Sequence, residues 1–165
     1  ADVMVLFLLF EDLFSKEVKV KNYHYYEPLC KHTSSLSRSS YAILSADVGE
    51  KDCAYKLYLE ALQEDLGAGR ESWEGIHTAA AGGLWQCAVL GFMGVRLYGT
   101  QLRIQPNLPD KWRSAKTKIF FGGQKMELEV DHERLRVTRL KGDGAIRFLC
   151  NGTTYTVDDT LTITY

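Results

Sequence analysis

A carboxylate, an imidazole, a hydroxyl and two glycines lie close together between Glu74 and Gly83, at the entrance to an apolar run. Glycine lets the backbone approach a ligand because it has no Cβ. The first N–H groups of a helix lack partners within the helix and attract anions. Glu74, His77, Gly82 and Gly83 therefore indicate a ligand site at the end of a helix. They fit equally a tightly packed helix whose histidine has its hydrogen bonds satisfied.

A second polar group precedes the first, where His32 is followed by Ser34 and Ser35. Hydroxyls, an imidazole and exposed backbone N–H groups bind a dianion through charge-assisted hydrogen bonds. Serines ahead of a helix also act as N-caps. Taken alone, the two serines fit either role, and a lone histidine is more often packed in a core.

Apolar residues at helical spacing predict the elements that position these groups. The first helix is strongly apolar and should be buried nearly all round, which the few helices that follow cannot achieve. We therefore expect the chain to be the carboxyl-terminal piece of a larger protein, with this surface exposed or covered by an oligomer. The predicted helices are Asp2–Phe14, a short helix capped by Ser15 and broken before Pro28, one from Ser34–Ser37 to Gly49, Asp52–Leu66, and one through Leu84 to Val95.

After Tyr98 the period of the apolar residues changes from about 3.6 to 2. Short alternating segments separated by turns, including the hairpin signal Asn151-Gly152, predict a small antiparallel β-sandwich. A hairpin through His132-Glu133 should place the glutamates of one strand near the arginines of the next. The fold class is therefore α+β, with the domain division between residues 1–97 and 98–165.

Composition excludes several function classes. A formal net charge of −1 over 165 residues predicts no general attraction to nucleic acid or to an anionic membrane. The four cysteines are scattered without metal-ligand or disulfide spacing, as is typical of a reduced, cytoplasmic protein. The apolar run Val3–Phe10 is too short to span a bilayer and lacks the basic flank of a signal peptide.

Several motifs occur in an order that resembles one enzyme family. They are Tyr26-Glu27-Pro28, His32-Thr33-Ser34-Ser35-Leu36-Ser37, Glu74-Gly75-Ile76-His77 with Gly82-Gly83 and Trp85-Gln86, Gly91-Phe92-Met93-Gly94-Val95-Arg96, and Pro106-Asn107-Leu108-Pro109 with Trp112. Together they resemble the end of glycoside hydrolase family 65, which contains maltose, kojibiose, nigerose and trehalose phosphorylases and some hydrolases. The resemblance covers essentially the whole chain.

The resemblance implies a fold and a reaction. Residues 1–97 would be the last helices of an (α/α)6 catalytic barrel, and residues 98–165 the terminal β domain. The reaction would be inverting phosphorolysis of an α-linked glucose disaccharide, giving β-glucose 1-phosphate without a metal or a cofactor. The family's general acid and its sugar-binding Lys-Gln pair lie upstream of the stretch that this chain matches. Inorganic phosphate and the disaccharide would be the partners, and the full-length enzyme would be a homodimer.

The resemblance also implies roles for individual residues. Phosphate would be bound by Ser34, Ser35, His77, Gly82 and Gly83. Among the remaining motif residues, Tyr26 and Glu27 would shape the sugar pocket, and His32 would hold the loop. Glu74 would orient His77 or the loop, because its carboxylate would repel phosphate. The family usually has arginine where this chain has Leu29, so a contact of that kind is not expected here.

Three other functions fit parts of the sequence. A family 65 hydrolase would need a second carboxylate as base, about 6.5–9.5 Å from the acid, and Glu27 and Glu74 are the candidates near the motifs. A helical-repeat adaptor would show a recurring unit, which the sequence lacks. A carbohydrate-binding β module would need an exposed aromatic platform, and Trp112 is the only tryptophan in the strand region.

Overall fold

The computed structural model describes residues 2–66, 75–98 and 100–165, and its contacts divide the chain into two compact units, Ala1–Gly91 and Phe92–Tyr165. The predicted α+β class is confirmed. The predicted domain division at residue 98 stays a prediction, because a division of contacts does not test whether either part folds alone. Each helix within the described ranges falls short of the length and apolarity that crossing a membrane requires.

The first unit is helical. Its α-helices are α1 Asp2–Leu9, α2 Lys16–Tyr26, α3 Ser37–Val48, α4 Lys51–Leu66 and α5 Thr78–Gln86. Single 3-10 turns occupy Glu11–Leu13 and Glu27–Leu29, and a π-helix continues α5 over Cys87–Phe92. Gly49 ends α3 with φ +104°, as its position predicts, and its N–H bonds the carbonyl of Ser45. The predicted stripe of α4 is confirmed, since Ala54, Leu57 and Ala61 are buried.

The first helix differs from the prediction. It ends at Leu9 rather than Phe14, because Phe10 adopts φ −121° and ψ 45° and starts a 3-10 turn. Within α1, Met4 and Phe7 are buried in the core of the unit, whereas Leu9 is 72% exposed. The prediction of burial nearly all round is therefore wrong for this chain. The exposure of Leu9 agrees with the other prediction for this segment, that part of its apolar surface is left uncovered.

The last predicted helix is also shorter than expected, because the chain turns into a strand at Val95. Gly94 makes this turn possible with φ +65°. A Cβ at Gly94 would collide with the carbonyl of Gln105, whose N–H bonds the carbonyl of Gly94 at 3.0 Å. A side chain at this position would push the two segments apart.

The second unit contains two four-stranded sheets, with strand orders β1-β2-β6-β7 and β3-β4-β5-β8. The strands are β1 Val95–Tyr98, β2 Gln101–Ile104, β3 Ser114–Phe121, β4 Gln124–Asp131, β5 Arg134–Lys141, β6 Ile146–Cys150, β7 Thr153–Val157 and β8 Thr160–Thr164. Alternate residues of β4 are buried, namely Met126, Leu128 and Val130. The period of 2 thus gives one buried face, as predicted.

Among the strands that the structure describes, the pairing is antiparallel with one exception. Strands β2 and β6 pair in parallel, with Leu102 opposite Phe148, which the antiparallel prediction did not include. These strands are separated by three others along the chain, so no hairpin turn fixes their relative direction. Asn151 and Gly152 both have positive φ, as a type I′ turn requires, and this predicted hairpin is confirmed.

The predicted charge pairing between β4 and β5 is partly seen. Glu129 lies opposite Arg136 in the register, which confirms the hairpin through His132-Glu133. The close ion pair, however, joins Glu127 to Lys116 on β3, at 2.9 Å. Strand β4 therefore has cationic side chains on both neighbouring strands, β3 and β5. The sequence analysis predicted only those on β5.

Candidate anion site at three helix ends

Helices α3 and α5 pack side by side and run in the same direction. Gly83 lies against Ser39, with 2.8 Å from a Cβ built on Gly83 to the Cβ of Ser39. Further along, the Cys87 thiol contacts the Ser39 carbonyl at 3.3 Å, and a Cβ built on Gly91 lies 3.5 Å from Cα of Ile43. The contacts advance together along both helices, so the starts of α3 and α5 lie at the same end of the bundle.

The final turn of α4 reaches the same place. Arg38, in the first turn of α3, bonds Glu64 at 3.1 Å and lies 3.5 Å from Glu60. Asp65 bonds His77, the residue that precedes α5. The end of α4 therefore meets the starts of α3 and α5. The two polar clusters that the sequence analysis identified are brought to one end of the helical unit.

His77 is held at two points by one carboxylate. Its backbone N–H donates to Asp65 Oδ2 at 3.1 Å, and its ring Nδ1 lies 2.7 Å from Asp65 Oδ1. A carboxylate oxygen only accepts hydrogen bonds, so Nδ1 carries the proton. The His77 side chain is 36% exposed, so this histidine lies at the surface of the unit and not in its core.

Ser34 and Ser35 lie in the turn before α3. The N-cap of α3 is Leu36, and no side chain caps it. Ser34 Oγ instead accepts from the N–H of Leu36 at 3.3 Å, and its carbonyl accepts from Ser37 Oγ at 2.9 Å. Within the described part of the chain, Ser35 Oγ makes no hydrogen bond. Ser34 thus satisfies an N–H group just ahead of α3, and N-capping, the alternative reading of these serines, stays open.

His32 contacts two residues of α3, the helix that follows the serine turn. Its Nδ1 lies 3.2 Å from Ser37 Oγ, and its ring meets that of Tyr41 edge to face at 4.8 Å. Burial, and next the Arg38 guanidinium, lower the pKa of His32, which favours the neutral ring. His32 has φ +48°, and its Nε2 is buried with no hydrogen-bond partner among the described residues. Its contacts are those of a residue that fixes the loop.

The two glycines of α5 differ in their surroundings. Gly82 is exposed, whereas Gly83 is buried against α3. Both lie inside the helix, where their N–H groups serve intrahelical bonds. The N–H of Thr78 bonds the carbonyl of Ile76. The helix-start N–H groups that have no acceptor within α5 are those of Ala79 and Ala80, which the sequence analysis did not assign.

The remaining predicted residues lie near the serine turn or outside the described ranges. The carbonyl of Tyr26, at the end of α2, lies 3.5 Å from the hydroxyl of Tyr41, whose ring contacts His32. Glu27 begins the 3-10 turn that leads to Cys30. Glu74 lies outside the described residues.

Sequence reasoning missed Asp65. A signal was present: two carboxylates, Glu64 and Asp65, stand in the last turn of a predicted helix, where the helix dipole favours cations. Each has a cationic or donor partner at the site, Arg38 and His77 respectively. Both carboxylates are therefore paired within the protein. The site also offers hydroxyls, an imidazole and helix-start N–H groups, and this set of hydrogen-bond donors is suited to an anion.

Two family models match the chain. Residues 1–86 match the glycosyl hydrolase family 65 central catalytic domain, and residues 95–157 match the glycosyl hydrolase family 65 C-terminal domain. The chain is 44% identical over 145 residues to a kojibiose phosphorylase of Halothermothrix orenii, covering 87% of this chain and 18% of the relative. It is 34% identical over 143 residues to an alpha,alpha-trehalose phosphorylase of Thermoanaerobacter brockii, covering 86% of this chain and 18% of the relative.

A solved structure gives the same result. The chain superposes with a TM-score of 0.92 and 28% identity on the structure named "Putative kojibiose phosphorylase from human microbiome", covering 99% of this chain and 24% of that one. The chain thus spans about a fifth of the length of these relatives. On the strength of both family models and the shared sequence, the chain belongs to glycosyl hydrolase family 65.

Proposed function

We propose that the whole protein is an inverting disaccharide phosphorylase, and that residues 1–165 supply its phosphate-binding side. The substrate class is an α-linked glucose disaccharide, and the product is β-glucose 1-phosphate. The relatives named as phosphorylases of kojibiose, trehalose and nigerose support this class. A further relative is named for 1,2-alpha-glucosylglycerol, which is an α-linked glucoside but not a disaccharide.

One observation carries the proposal: the starts of α3 and α5, each in contact with the end of α4, lie at one end of the unit, and Ser34, Ser35 and His77 immediately precede them. Phosphate at neutral pH is a dianion that needs several donors at once. Hydroxyls, a histidine and the N–H groups that lack an acceptor within α5 meet that need, and two helix starts at the same end add favourable dipoles. The predicted contacts at Gly82 and Gly83 remain part of the proposal, through close approach to the bare helix backbone because their N–H groups serve α5, and we add the N–H groups of Ala79 and Ala80.

The mechanism divides the work between this chain and the rest of the protein. Phosphate, held by Ser34, Ser35 and His77, attacks the anomeric carbon from the face opposite the leaving sugar, which inverts the configuration. A carboxylic acid outside residues 1–165 protonates the glycosidic oxygen as the bond breaks. Tyr26, Glu27 and Glu74 shape the sugar pocket or orient the loop. The reaction needs neither a metal nor a cofactor, and the protein works in the cytoplasm as a homodimer.

The test compares the whole protein with the chain alone. Purified whole protein is incubated with kojibiose, trehalose or nigerose, with and without phosphate, and the anomer of glucose 1-phosphate is read by NMR. We expect the β anomer, and only when phosphate is present. Release of free glucose without phosphate would instead indicate the family 65 hydrolase.

Residues 1–165 alone should be catalytically inactive. General acid catalysis typically raises the rate by about 10²–10⁴-fold, and the residue that acts as the acid lies outside this stretch. Turnover by residues 1–165 at about 1 per second or more, a rate ordinary for an enzyme, would show that the acid lies within them. That result would overturn the division of work.

A further inference from the structure

Asp65 makes an arrangement that none of the family motifs includes. From the last turn of α4 it accepts the backbone N–H of His77 at 3.1 Å through Oδ2 and the ring Nδ1 at 2.7 Å through Oδ1. The backbone bond fixes where α5 begins, and the ring bond fixes how the imidazole is turned. One side chain, 17% exposed, therefore determines both the position and the orientation of His77.

Asp65 places a negative charge at the C-terminal end of α4, where a helix usually favours positive charge. A helix C-terminus carries partial negative charge and favours lysine, arginine or protonated histidine. The last turn of α4 has no basic residue. Departures from such local preferences are expected at functional sites, where another gain offsets them. At Asp65 the offsetting gain is its double contact with His77.

The contact also sets the chemistry of the ring. With the proton fixed on Nδ1, a neutral His77 presents Nε2 as an acceptor, and a protonated His77 donates from Nε2. A phosphate dianion is bound by the donating form, and a carboxylate on the other side of the ring stabilises that cation. Removal of the carboxylate would weaken the cation and allow the ring to turn.

We propose that Asp65 is a positioning residue of the phosphate site, which acts through His77 by holding its ring in the orientation and charge state that bind phosphate. This inference rests on the proposed function. It predicts an effect on phosphate and not on the disaccharide, because Asp65 reaches the substrate only through His77.

The test is a double-variant cycle in the whole protein, with KM for phosphate, KM for disaccharide and kcat measured separately. Asp65→Asn should raise KM for phosphate about tenfold, the size of one charge-assisted hydrogen bond, and leave KM for disaccharide unchanged. In a His77→Ala background the same substitution should change KM for phosphate by less than about twofold, since the residue through which it acts is gone. Asp65→Glu, which keeps the carboxylate, should show a smaller rise than Asp65→Asn.

Asp47→Asn is the matched control, because it is the same substitution in the last turn of another helix, α3, where it breaks the ion pair with Lys19 away from the site. It should lower thermal stability without raising KM for phosphate. An equal effect of Asp65→Asn with and without His77, or no effect on phosphate, would overturn the positioning role alone. A Glu variant no better than the Asn variant would contradict the role of the charge. A wild type that needs no phosphate would overturn the proposed function and this inference together.

Discussion

Replacement of Gly83 by alanine should destabilise the helical unit, whereas the same replacement at Gly82 should not. A Cβ on Gly83 would lie 2.8 Å from the Cβ of Ser39, while a Cβ on Gly82 would meet no atom of the described residues within 4 Å. Carbon atoms in favourable contact are about 3.5–4.0 Å apart. Helix α5 must therefore move away from α3 to admit one methyl group at Gly83.

The pair of variants isolates the packing contribution. Both glycines lie in the same helix, so both changes gain about 0.5–1 kcal/mol of helix propensity, and this gain cancels in the comparison. Overpacking of a close contact costs about 1–3 kcal/mol. At about 3 °C per kcal/mol for a chain of this size, Gly83→Ala should melt about 3–9 °C below Gly82→Ala.

Thermal unfolding followed by circular dichroism measures the difference. Ser39→Gly combined with Gly83→Ala should recover much of the loss, because it removes the Cβ that the new methyl group meets. Equal melting temperatures for the two alanine variants would refute the close packing of α5 on α3, and with it the alignment of the helix starts. Gly82→Ala carries a second result, since weaker phosphate binding in this more stable variant would support the predicted contact at Gly82.

Three further predictions concern titration, reactivity and the domain division. Burial lowers the pKa of His32 below 6.5, so as the pH falls the unfolded chain takes up this proton before the folded chain does. The free energy of unfolding should therefore fall as the pH drops from 6.5 towards the folded pKa. His32→Asn, which tolerates the positive φ at this position, should lose less stability between pH 7 and pH 5, as measured by urea titrations. Burial raises the pKa of the Cys87 thiol to about 12. At pH 8, iodoacetamide should therefore label the half-buried Cys30 long before Cys87, as measured by mass spectrometry, and equal labelling rates would contradict the burial of Cys87. Limited proteolysis should cut near residues 98–100, and cleavage within Met126–Leu140 that spares this junction would contradict the predicted division.

Local patterns predicted local structure well. The stripe of α4, the left-handed end of α3 at Gly49 and the Asn151-Gly152 hairpin each depend on residues close in sequence, and each is confirmed. Their geometry follows from the period of the backbone and the freedom of glycine, which a sequence displays directly.

Features set by distant residues were not predictable in the same way. The exposure of Leu9 depends on what packs against α1, and the parallel pairing of β2 with β6 depends on a connection that spans three strands. Asp65 lies in the last turn of α4 and His77 immediately precedes α5, so no helical or strand period links them. The motifs identified His77 and the serines, but the residue that orients the imidazole could be found only from the fold.

The central claim is that Ser34 and His77, next to the starts of α3 and α5 at one end of the helical unit, bind phosphate. The most direct measurement is KM for phosphate in the whole protein carrying Ser34→Ala or His77→Ala, at saturating disaccharide. Each variant should lose one charge-assisted hydrogen bond, about 1.5–3 kcal/mol, which raises KM for phosphate by roughly 10-fold to 150-fold. KM for disaccharide should stay within about twofold of wild type. Unchanged phosphate kinetics in both variants would remove these residues from the phosphate site and contradict the account.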